Sequence, residues 1–169
     1  KGTPPRTDFL SRKMTKEQQR RFVIGVVEQL GYDFSKGRLD DTVHPFMTAL
    51  NRNDARITTR WEENNFSMAT FGVIHEAGHG MYEQNFDPKF DFTPLSEGAS
   101  MGIHESQSLF NEIIIGSNRA FWQKQYPFFQ ECVEGTFDDI AFEDFYASLK
   151  ETKASLIRID SDKIGSAHV

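Results

Sequence analysis

Apolar residues recur along this chain at helical spacing in several separate stretches. Phe22, Val23, Val26, Val27 and Leu30 fall on one stripe, which predicts an amphipathic helix over about residues 15–30. Thr15 with Glu17 and Gln18 suits its start, and Gly31 suits the position just past its end. Residues 32–45 carry Ser35, Gly37 and Asp40 and read as loop. Ile57 to Trp61 is β-branched and predicts a short strand, followed by a polar turn at Glu62 to Asn65. A long helix is expected over about 67–84. Two prolines make Phe86 to Pro94 a loop. Ile103, Phe110, Ile113 and Ile114 form a second stripe, predicting a helix over about 98–115. Further helices are expected at 119–133, broken near Pro127, and at 142–152. A strand is expected at 156–159, and residues 1–9 read as extended.

The helix at 67–84 carries the chemistry. His75-Glu76-Ala77-Gly78-His79 is an HExxH pentad inside an apolar run, with Val73 and Ile74 before it and Met81 and Tyr82 after it. Residues four apart share a helix face, so both imidazoles can meet one divalent ion. Glu76 then lies within reach of a water on that ion. Two nitrogen ligands, an open position and a carboxylate base are the parts of metal-assisted amide hydrolysis. The blander reading is a buried amphipathic helix carrying two polar rings, but buried imidazoles need partners and a shared cation supplies both. A third ligand must come from elsewhere. Glu83, Asp87, Asp91, Glu97, Glu105 and Glu112 are the downstream acids. Glu105 is preferred from spacing because a second packed helix could deliver it, with Glu97 next.

Other segments extend the picture. Asp54-Ala-Arg56-Ile-Thr58 fits a DxRxT motif, and His104-Glu105-Ser106-Gln107 reads HESQ. Ile157-Arg158-Ile-Asp-Ser161-Asp162 fits (I/V)RxxAD with Ser161 for Ala. In this order, with the pentad, they resemble the carboxypeptidase Taq family of metallocarboxypeptidases, also called thermostable carboxypeptidase 1. The resemblance implies His75, His79 and Glu105 as metal ligands and Glu76 as general base. It implies Arg158 as the cation for a substrate's terminal carboxylate, with Arg56 second. Asp54, Arg56 and Thr58 would line or brace the substrate site, and His104 and Gln107 would stand behind the ligands. The family's final motif, GxxQDxHW, does not occur. The expectation is therefore one catalytic-core domain over 1–169, the central part of a longer, mostly helical enzyme. The expected fold class is mainly α: a zincin-like helical core with a short β-sheet or strands flanking the HExxH helix.

The expected activity is hydrolysis of C-terminal residues from peptides with a free C-terminus. The alternatives are an HExxH endopeptidase or a non-catalytic metal-binding fragment. The cofactor expected is a divalent metal, zinc first, with cobalt or manganese as alternatives. Composition narrows the partners. The formal charge of -6 and the absence of a clustered basic patch exclude nucleic acid. No apolar run is long enough to span a membrane. Cys132 is the single cysteine, so neither an internal disulfide nor a thiolate cluster can form. That fits a reducing compartment, and a cytoplasmic location is expected. A homodimer is implied by the resemblance alone.

Overall fold

Residues 5–150 are described here from a computed structural model. Helix α1 (Lys16–Leu30) starts on a capping box. The Thr15 hydroxyl accepts from the Gln18 N–H, and the Gln18 side chain accepts from the Thr15 N–H. Gly31 ends it at φ 115, a left-handed conformation that glycine adopts without a Cβ penalty. Its predicted stripe is the one that is buried: Phe22, Val23, Val26 and Val27 are fully enclosed.

A three-stranded sheet follows, in the order β1 (Leu39–Asp41), β3 (Asp54–Thr59), β2 (Met47–Asn51). β1 runs parallel to β3 with Leu39 opposite Ile57, and β2 runs antiparallel with Met47 opposite Ile57. Two corrections to the sequence reading arise here. The strand expected at 57–61 begins at Asp54 and ends at Thr59, because its first part, Asp54 to Ile57, pairs with β2 and its last part, Ile57 to Thr59, pairs with β1. Part of the expected loop at 32–45 is the strand β1. β2 was not expected at all.

Helix α2 (Phe66–Gln84) crosses the molecule with buried residues on every side, from Ala69 and Thr70 through Ile74 and Ala77 to Gln84. Its C-terminal end is pinned to the chain after α1. Gln84 accepts from the Asp33 N–H at 3.0 Å and donates to the Asp33 carbonyl at 2.9 Å. Helix α3 (Met101–Leu109) is shorter than the helix expected over 98–115. From Phe110 to Ile115 the chain continues as a π-helix. Helix α4 (Arg119–Cys132) runs unbroken through Pro127, contrary to expectation. Pro127 is exposed, as is Gln123 one turn earlier. The carbonyl that proline leaves without a donor can therefore be hydrated. Helix α5 (Phe142–Leu149) completes the described part.

The core is largely aromatic. Phe66, Phe129 and Phe145 meet with ring centroids 4.9–6.1 Å apart, and Phe9, Phe22, Trp122, Tyr126 and Phe137 surround them. Cys132 is buried in this cluster, and burial pushes its thiol up, as expected of an inert side chain. Among the described residues no helix is long and apolar enough to cross a membrane. The strand expected at 156–159 lies outside the described residues.

Candidate metal centre

The floor of an open cleft is built by α2 and α3 crossing closely. Gly78 allows the approach: a Cβ there would lie 2.6 Å from the Ser108 Cα and 2.8 Å from the Gln107 carbonyl. On the cleft side of this crossing the ligand atoms of His75, His79 and Glu105 all lie within 4.8 Å of one another. The Nε2 atom of His79 is 3.2 Å from Glu105 Oε2, and that of His75 is 3.7 Å from Glu105 Oε1. The rings stand 5.0 Å apart at 76° to each other. Ligands around a tetrahedral ion at about 2.1 Å are separated by roughly 3.4 Å. The donor set therefore fits a divalent cation in both chemistry and spacing. Of the six acids considered for the third position, Glu105 is the one brought to both Nε2 atoms.

The outward nitrogens are also engaged. His75 Nδ1 is 2.7 Å from Glu112 Oε2. His79 Nδ1 is 2.6 Å from His104 Nδ1, and His104 Nε2 is 2.8 Å from Glu83 Oε1. Burial alone would push His75 down, but the hydrogen bond and charge of Glu112, helped by Glu76 and Glu105, raise it. His79 is pushed down to about 4 by burial and by the neighbouring charge of His75.

The cleft has a volume of about 1030 Å³. One wall is β2 and its turn into β3, from Pro45 to Asn53; the other is the loop after α2 with the start of α3. Glu76 lies on the floor beside the histidines and is only 4% exposed. Glu105 is half exposed, so the ligand cluster opens toward the cleft. Arg52 from the β2–β3 turn and Asp91 from the opposite loop form an ion pair at 3.0 Å across one end. The sequence reading overlooked this pair.

The remaining expected site residues are distributed differently. His104 reaches the cleft wall with both ring nitrogens committed. Asp54, Arg56, Thr58 and Gln107 do not line the cleft. Asp54 grips Arg56 through two hydrogen bonds of 2.7 Å. Thr58 Oγ1 accepts from the Phe46 N–H and donates to the Phe46 carbonyl, both at 2.9 Å, and so braces the entry to β2. The Gln107 carbonyl accepts from Asn111 at 2.9 Å where α3 runs on into the π-helix. Arg158 lies outside the described residues. Glu83 and Glu112 entered the sequence reading only as rival ligands. The signal for Glu112 was its place seven residues after Glu105, on the same face of the helix.

The comparisons with known proteins bear on this cluster. Residues 1–169 match the sequence profile of the family described as Carboxypeptidase Taq (M32) metallopeptidase. The chain belongs to that family. Carboxypeptidase 1 from Bacillus subtilis (strain 168) is 50% identical over 96% of this chain. Thermostable carboxypeptidase 1 from Thermus thermophilus is 39% identical over 96% of it. The solved structure of an M32 carboxypeptidase from Deinococcus radiodurans R1 superposes with a TM-score of 0.89 at 42% identity, covering 94% of this chain and 32% of that one. The chain spans about a third of the length of these curated relatives. Its mainly helical fold with a small sheet is the fold of the family's solved structures. As a metallopeptidase family, the carboxypeptidase Taq proteins imply a divalent metal.

Proposed function

We propose that this chain is the metal-binding part of a carboxypeptidase that removes C-terminal residues from peptides. The observation that carries the reading is the convergence of His75, His79 and Glu105 at the floor of an open cleft, with Glu76 beside them. His75 Nε2, His79 Nε2 and one Glu105 oxygen would hold the ion, zinc by preference, since two imidazoles and a carboxylate at this spacing suit a tetrahedral site. Bound there, it would polarise the scissile carbonyl and lower the pKa of a coordinated water towards about 7. Glu76, beside the histidines in the cleft floor, would act as the proton carrier, taking up a proton there and returning it to the departing amine. Its burial beside two imidazoles keeps it short of bulk solvent, which suits a proton carrier better than a surface acid. Among the described residues β2 is an edge strand, and it offers main-chain groups along the cleft for an extended peptide.

The terminal carboxylate needs a fixed cation, and Arg is suited because its planar fork binds two oxygens. We assign this to Arg158. Arg56 is the weaker choice, because Asp54 already occupies its fork. Asp54 and Thr58 then act by bracing β3 and the start of β2. A cytoplasmic setting accompanies the reading, in keeping with a single buried cysteine.

The test uses the full-length protein. A chelator should abolish release of C-terminal residues, and zinc, cobalt or manganese should restore it. Amidating the peptide's C-terminus should block cleavage; an amidated peptide cut internally would instead indicate an endopeptidase. Glu76→Gln should keep the metal by elemental analysis and lose nearly all turnover. Near-normal turnover in that variant would refute the base assignment.

A further inference from the structure

Both ligand histidines face Glu105 with Nε2, and this fixes every proton behind them. A ring that gives its Nε2 lone pair to a cation carries its proton on Nδ1. His75 therefore donates to Glu112 Oε2 at 2.7 Å. His79 must donate to His104 Nδ1 at 2.6 Å, so that nitrogen is bare and the His104 proton sits on Nε2. There it donates to Glu83 Oε1 at 2.8 Å. One assignment satisfies all three contacts with no donor facing a donor.

The two terminal carboxylates are well enclosed, with 12% of the Glu112 side chain and 15% of that of Glu83 exposed. Among the described residues neither is paired with a lysine or arginine; each ion pair is to a histidine. Enclosed carboxylates without a cation are costly. A charge reaching them through the imidazoles would offset that cost. The backbone is also adapted at this point. Glu112 lies in the π-helix, where the Gly116 N–H bonds back five residues to the Asn111 carbonyl at 2.8 Å. Such widened turns concentrate at functional sites.

We propose that Glu112, and His104 together with Glu83, are positioning residues that hold the two ligand rings in their metal-binding tautomer and orientation, one ring directly and the other through a histidine relay. The proposal rests on the metal-centre reading above, and its test separates the two.

Zinc affinity of the metal-free full-length protein is measured by competition with a chromogenic chelator, beside the melting temperature of each metal-free variant. Glu112→Ala and His104→Leu should each weaken zinc binding by about 10–100-fold. Glu112→Gln should fall less, because its amide oxygen still accepts from His75. His104→Gln should bind nearly as wild type, because it can accept from His79 and donate to Glu83 in the same order. A merely structural role would lower melting temperature and affinity together and would not separate Gln from Leu at position 104. If Glu112→Ala does not fold, Glu112→Asp decides: it keeps the charge, shortens the reach and should weaken binding. Wild-type protein that binds zinc alongside variants of equal affinity overturns this proposal alone. Wild-type protein that binds no zinc overturns the metal centre and this proposal with it.

Discussion

Gly78, between the two histidines, faces α3 at a separation that leaves no room for a methyl group. The nearest atoms are the backbone of Gln107 and Ser108, which cannot swing aside as a side-chain tip can. Gly78→Ala should force the helices apart, cost about 1–3 kcal/mol in a urea melt, and draw Glu105 away from both rings. Metal affinity should fall even though every ligand is intact, and equilibrium dialysis would register it. At this scale the sequence was informative where local geometry decides. Spacing alone pairs His75 with His79 and sets Glu76 next to them. It favours Glu105 over Glu97 but cannot fix how near Glu105 comes to the rings, because that depends on how α3 crosses α2. The partners of Glu83, Asp91 and Glu112 were hidden for the same reason: each is set by an element distant in sequence.

Helix α4 shows how an element can tolerate a residue that argues against it. Pro127 withdraws one backbone hydrogen bond on the exposed side, while Trp122, Tyr126 and Phe129 anchor the opposite side in the core. Tertiary packing overrides the local penalty. Pro127→Ala restores the missing donor and should stabilise the protein by up to about 3 kcal/mol, read as a rise in melting temperature. Where a full apolar stripe was present, as in α1 and α2, the helices appear within a residue or so of expectation. β2 was missed because its residues are half-buried or exposed and show no clean apolar alternation; pairing with β3 makes it a strand. The π-helix was missed because an isoleucine-rich stripe looks the same for either winding.

At the scale of the molecule, the N-terminal segment is tied to the turn after α4 by charge as well as by the buried Phe9. Arg12 hydrogen-bonds both Asp139 and the Thr136 carbonyl, and Arg6 adds a second cation. The bond from Arg12 is the main cause that holds Asp139 down at about 2. Its folded value lies below the ordinary value of about 3.9. Its stabilisation is therefore complete above that value and lost as pH falls towards about 2. Asp139→Asn should have the lower urea midpoint at neutral pH, with the gap closing between about pH 4 and about pH 2. Trp122 gives the same molecule an optical gauge. Its indole is enclosed by Phe22, Phe71, Phe121 and Phe145, and its N–H donates to the Gly116 carbonyl, directly after the π-helix that carries Glu112. Blue-shifted emission from this indole should redden as soon as that junction loosens, so fluorescence would follow the scaffold behind the histidines without any added dye.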